Sequence, residues 1–166
     1  MIDVSSLPAI AAPLQQNIIE DPSFETGIEN HWNVTTDCQV LWSQSDGAIP
    51  DDGGAYAINF WNDSAARGNT TMYYDAGIVP QGTYTFDFML RGGGYMDGDF
   101  KVQIFGNGNV VKELDIIATD SYTKYELQDI VFSDKAKVRI VFTIKMSEGT
   151  NGGWAYMDLV NLQRVQ

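Results

Sequence analysis

The strictest constraint in this chain is the two-residue period of residues 83–91, where Tyr84, Phe86, Phe88 and Leu90 alternate with Thr85, Asp87, Met89 and Arg91. Side chains of a β-strand point alternately to its two faces, so one row of large apolar groups needs a core to lie against. Residues 137–145 repeat the pattern with Val138, Ile140, Phe142 and Ile144. Residues 53–61 do so again, setting Tyr56, Ile58 and Phe60 against Ala57, Asn59 and Trp61. Further strands are expected at the start of 17–27 and at 31–34, 38–42, 72–78, 122–132 and 154–162. Residues 100–105 and 109–116 read as a hairpin about Gly106-Asn107-Gly108. Val110, Leu114 and Ile117 also fit a helical spacing, but β-branched Val110, Val111 and Ile116 favour strand. Many short strands, frequent turns and no persuasive helix predict an all-β, two-sheet β-sandwich. Jelly-roll topology leads, with an immunoglobulin-like sandwich second.

Length and charge then bound what such a sandwich does. A chain of 166 residues is expected to form one domain: a Ser-, Ala- and Pro-rich linker or N-terminal arm over 1–16, and the sandwich over 17–166. The formal net charge of −12 argues against nucleic acid, anionic membranes and polyanions such as unesterified pectin. A neutral ligand or a cation suits it. Cys38 is the single cysteine, so an intrachain disulfide and a thiolate metal cluster are excluded. His31 is the single histidine, and any His-based catalysis would have to use it. No run is long and apolar enough to span a membrane, and the N-terminus lacks the basic region of a signal peptide. Excision from a larger secreted or cell-surface protein would account for that.

Carboxylates are plentiful, so a two-carboxylate glycosidase site is not excluded by counting, yet none stands in a catalytic motif. Gly-rich runs such as Gly92-Gly93-Gly94 are neither phosphate nor dinucleotide loops. Recognition chemistry fits better. Sugar C–H groups meet the negative face of an aromatic ring, and planar amides, carboxylates and guanidinium groups read hydroxyls. On the expected outer face lie Trp61, Asn59 and Arg91, with Trp154 at its rim and Asp63 and Tyr95 in adjoining loops. Trp42 divides evenly between core and surface, and Trp32 is expected in the core. A second, acidic group comprises Asp21, Glu25, Asp51, Asp52 and Asp158, which adjacent terminal strands could gather around a calcium ion.

The segment Asn17-Ile-Ile-Glu-Asp-Pro-Ser-Phe-Glu-Thr-Gly27, followed by Trp32, resembles the opening of galactose-binding-like jelly-roll carbohydrate-binding modules. The closing Trp154-Ala-Tyr-Met-Asp-Leu-Val-Asn-Leu162 resembles their last strand. Tyr56-Ala-Ile-Asn-Phe-Trp-Asn-Asp-Ser64, Gly82-Thr-Tyr-Thr-Phe86 and Arg91-Gly-Gly-Gly94 are similar to the family-sixty-one modules attached to endo-β-1,4-galactanases. The resemblance implies a non-catalytic module that binds β-1,4-galactan beside a tethered glycoside hydrolase, together with a structural calcium distant from the sugar. It further implies that Glu25 and Asp158 hold the metal, with Asp21 and Asp52 as further candidates, and that Trp61, Arg91 and Trp154 touch sugar. Asp21 stands where these modules usually carry Asn, and the acidic 46–52 loop is unusually long. The expectation is therefore a monomeric module for a neutral polysaccharide. The alternatives are an adhesion sandwich that meets protein partners and, less favoured, a small glycan-active enzyme.

Overall fold

In the computed structural model, residues 3–36, 39–43, 49–62, 68–94, 100–146 and 153–166 are described. Ten strands run β1 (Asn33–Thr36), β2 (Gln39–Ser43), β3 (Ala57–Asn62), β4 (Gly68–Val79), β5 (Gly82–Gly94), β6 (Phe100–Gly106), β7 (Asn109–Asp115), β8 (Thr123–Phe132), β9 (Ala136–Met146) and β10 (Gly153–Arg164). They form two five-stranded antiparallel sheets, ordered β1-β4-β9-β6-β7 and β2-β3-β10-β5-β8. This is the two-sheet jelly-roll sandwich that the alternation predicts. A single 3-10 turn (Ile28–Asn30) is the one helical element among the described residues.

The core is the meeting of the apolar rows. Tyr84, Phe86, Phe88 and Leu90 of β5 are fully buried, as are Val138, Ile140, Phe142 and Ile144 of β9. Phe142 joins the layers, with its ring centroid 5.0 Å from that of Phe88 and 6.0 Å from that of Trp32. Trp32 is core, as expected. The β6–β7 hairpin turns on Asn107 and Gly108, both at positive φ, which an Asn-Gly pair adopts readily. The Asn107 side chain also accepts the Lys137 N–H at 2.9 Å, which ties this turn to β9.

Two strand expectations fail for local reasons. Residues 17–27 form no strand beyond one bridge between Asn17 and Gln163. Asp21 and Phe24 adopt positive φ, and the Asp21 carboxylate accepts the N–H groups of Glu25 and Thr26, both at 2.8 Å. That side-chain capping competes with strand pairing. The strand expected from residue 53 begins only at Ala57, because Asp52 and Gly54 turn the chain at positive φ. Residues 3–16 lie along the sandwich: the Ile10 N–H donates to the Ile78 carbonyl, and Val4 and Ala12 are buried.

Candidate functional site

β10 lies between β3 and β5, and this register assembles the site. Trp154 stands opposite Trp61 on one side and Gly93 on the other, while Tyr156 stands opposite Asn59 and Arg91. Ala155 and Met157 are fully buried between the sheets, so Trp154, Tyr156 and Asp158 occupy the outward row. The Arg91 guanidinium carbon lies 5.1 Å from the Trp154 ring centroid and 6.0 Å from that of Tyr156. Tyr122, just before β8, presents a third ring at 6.0 Å. Trp154 and Tyr156 tilt at 58° with centroids 5.7 Å apart. A guanidinium held over aromatic faces is fixed in place while its N–H edges can still donate.

The glycines after Arg91 have a steric role here. A Cβ added to Gly93 would lie 2.8 Å from Cζ2 and 3.0 Å from Cε2 of Trp154, so the indole covers this residue closely. Gly92 is confined too, since its added Cβ would meet Ala118 Cβ and the Trp154 carbonyl at 2.9 Å. Gly93→Val is therefore expected to displace the indole without removing it. Any ligand affinity that depends on the position of this ring should fall about tenfold, a change of ~1.4 kcal/mol, while the melting temperature moves little. Paired titration calorimetry and thermal melts would show this, and an unchanged affinity would mean that the position of the ring is immaterial.

Asn59 sits in the middle of the face and is only 8% exposed; its Oδ1 has no hydrogen-bond partner among the described residues. Burial holds the Tyr122 phenol well above its ordinary range; the charge of Asp158 adds to this and that of Arg91 opposes it. Further along the same face, Asp87 is raised by burial, against the Asn161 amide at 3.0 Å and Lys124 at 3.8 Å.

The acidic group adjoins this face. Asp158 is fully buried; its Oδ1 accepts the Leu159 N–H at 2.7 Å, and its Oδ2 has no partner among the described residues. Burial, with the charges of Glu25 and Asp21 adding, pushes the Asp158 carboxyl up to about 8, against the opposing Leu159 hydrogen bond. Gly53 and Gly54 cover the two carboxylates: a Cβ on the first would collide with Asp158 Oδ2, and one on the second would lie 2.7 Å from Glu25 Oε1. Glu25 accepts the N–H groups of Ala55 and Tyr56 at 3.0 and 2.9 Å. Asp21 is committed to its own turn, also taking the Thr26 hydroxyl at 2.6 Å, and Asp52 is exposed. Among the described residues no three His, Cys, Asp or Glu side chains converge on one point. The chemistry still suits a hard cation, because the donors are oxygens and one buried carboxylate oxygen is unsatisfied.

Trp61, Asn59, Arg91 and Trp154 thus come together on one face. Trp42 of β2 pairs with Ile58 of β3. Asp63, Tyr95 and Cys38 lie outside the described residues. Tyr156 and Tyr122 are the additions. Tyr156 could have been found from its spacing of two from Trp154, whereas Tyr122 joins the site only through tertiary packing. His31 pairs with Glu20, with Nδ1 3.3 Å from Oε2.

No family model matches the sequence, and neither does any curated protein. Solved structures do match. The carbohydrate-binding module TmCBM61, solved in complex with β-1,4-galactotriose, superposes with a TM-score of 0.68 at 23% identity, over 90% of this chain and 99% of that one. The CBM22-1 xylan-binding domain of Paenibacillus barcinonensis Xyn10C gives 0.61 at 12% identity, over 94% and 99%. The CBM22-1–GH10 modules of Clostridium thermocellum xylanase 10B, complexed with xylohexaose, give 0.58 at 13% identity, over 92% of this chain and 29% of that one. These likenesses establish the fold as the β-sandwich on which carbohydrate-binding modules are built.

Proposed function

We propose that this chain is a non-catalytic carbohydrate-binding module that holds a neutral plant polysaccharide, β-1,4-galactan foremost, beside a tethered glycoside hydrolase. The observation that carries the reading is the Trp154–Tyr156–Arg91 group, with Trp61 across the strand from Trp154. An indole accepts the apolar face of a pyranose, while the guanidinium edge and the buried Asn59 amide meet its hydroxyls. Tethering would raise the local substrate concentration for the enzyme, and that is the whole mechanism required. The galactotriose bound by TmCBM61 supports galactan over xylan, because that module has the higher structural similarity of the three.

Glu25 and Asp158 would hold a structural calcium ion, with main-chain carbonyl and water oxygens completing its shell. The ion would supply charge to satisfy the unpartnered Asp158 Oδ2 and would pin the 49–56 turn to β10.

Affinity electrophoresis in gels containing galactan, xylan, β-glucan or arabinan tests the reading. Retardation is expected in galactan above the others. Free migration in all four would sink the glycan reading, and reducing sugar released by the pure chain would replace it with an enzyme.

A further inference from the structure

The two outer faces of the sandwich differ in charge. The described outward row of β9 and its neighbours carries Lys101, Lys137, Arg139 and Lys145 against Asp75, Glu113 and Asp115. The sheet with the aromatic face instead sets Arg91 and Lys124 against Asp87 and Glu126. In a chain of net charge −12, the described residues of the first face thus carry one more cationic group than carboxylates. The net charge that argues against polyanions bears on the whole molecule; at a single contact, charges beyond a Debye length of about 8 Å at physiological salt are largely screened, so one uronate residue answers to the groups beside it.

On this face lies a groove of about 340 Å³, lined by Asp75, Phe105, Gly108, Lys137, Arg139 and Val141. That volume is at the lower end of the range for small-ligand sites. Arg139 is held rigidly there. Its Nε and Nη2 donate to Asp75 at 2.6 and 3.0 Å, and its guanidinium carbon lies 4.0 Å from the Tyr73 ring centroid. One edge of the guanidinium is thereby spent and the other, Nη1 with the second hydrogen of Nη2, has no protein partner among the described residues. Asp75 offsets the charge of Arg139, while Lys137 is exposed and has no carboxylate partner among the described residues. Phe105 pairs with Arg139 across the strands and lines the groove with a half-buried ring.

We propose that this groove is a second saccharide site, selective for a uronate residue, on the face opposite the Trp154 site. The sugar carboxylate would take the free edge of Arg139 and the Lys137 ammonium, a charge-assisted pairing, and the ring would lie against Phe105. The site is independent of the neutral-glycan reading and would stand if that reading failed.

Calorimetric titration with tri-galacturonic acid, with β-1,4-galactotriose as the neutral comparison, tests it. Saturable binding of the uronate is expected, weakening about tenfold or more as salt rises several-fold. Lys137→Glu and Phe105→Ala should each weaken it about tenfold or more. Trp154→Ala should leave it unchanged, as should Lys124→Glu, which makes the same charge change on the opposite sheet. The proposal is overturned if tri-galacturonic acid shows no saturable binding. It is equally overturned if Trp154→Ala abolishes that binding, or if Lys137→Glu and Lys124→Glu weaken it alike.

Discussion

Replacing Trp154 with alanine is expected to abolish retardation in galactan gels, with affinity falling about 30-fold or more, the loss of ~2 kcal/mol typical of a buried aromatic anchor at an interface. The packing singles out this residue. Its indole lies over Gly93, tilts against Tyr156 and takes the Arg91 guanidinium at 5.1 Å, so it is rigid before any sugar arrives. A preorganised ring loses little entropy on binding, which matters for a shallow and wet site. Removing it also releases Arg91 from the face that positions it, and so affects the hydroxyl contacts as well as the stacking. The fold should survive, since Trp154 is only half-buried on the outer side of a sheet whose core row is untouched. Arg91→Lys should cost less, because it keeps the charge and loses the planar fork. A Trp154→Ala protein that folds, melts normally and still binds galactan as tightly would remove this face from the mechanism.

How much of this was legible follows from which forces are local. The rows of β5 and β9 are legible because a two-residue period maps directly onto burial: every predicted core residue of residues 83–91 and 137–145 is fully buried. Trp61 and Arg91 followed from the same parity and Trp154 from its place at the head of the last strand, and the register of β10 brings them together. Parity alone misjudged Asn59 and Ala57, which fall on the outward row yet are buried. Their cover comes from outside their own strand, and strand alternation carries no trace of it. The same holds for Asp158, an outward residue by spacing and among the most buried carboxylates by position. Tyr122 reaches Arg91 from another part of the chain. The early strand assigned to residues 17–27 failed because a capping Asp outcompeted sheet pairing, a contest between two local preferences.

Removing divalent cations is expected to destabilise this protein, and more strongly as pH rises. At a thousandfold excess over its dissociation constant a bound ion adds about 4 kcal/mol, and each kcal/mol moves the melting temperature of a chain this size by roughly 2–4 °C. Chelation should then lower the melting temperature by about 8–16 °C. The pH dependence of the chelated protein follows from Asp158, whose carboxyl is pushed up to about 8 from its ordinary 3.8. Between those values the folded chain holds a proton that the unfolded chain has released, so stability is greatest below the lower value and is lost as pH climbs through the upper one. A calcium ion held there would reverse the slope, because it would displace that proton and bind better as the carboxylate ionises. Asp158→Asn should flatten the chelated profile and abolish the stabilisation by calcium together, since both effects run through one buried carboxylate whose Oδ2 lacks a partner. Thermal melts from pH 4 to 8, with calcium and with chelator, separate these outcomes. Identical melting temperatures in the two buffers at pH 8 would exclude the ion whatever the fate of the glycan. A chelated profile that stays flat across the range would show instead that Asp158 is ionised without help, and the Gly53–Gly54 turn would then owe its position over β10 to the Glu25 hydrogen bonds alone.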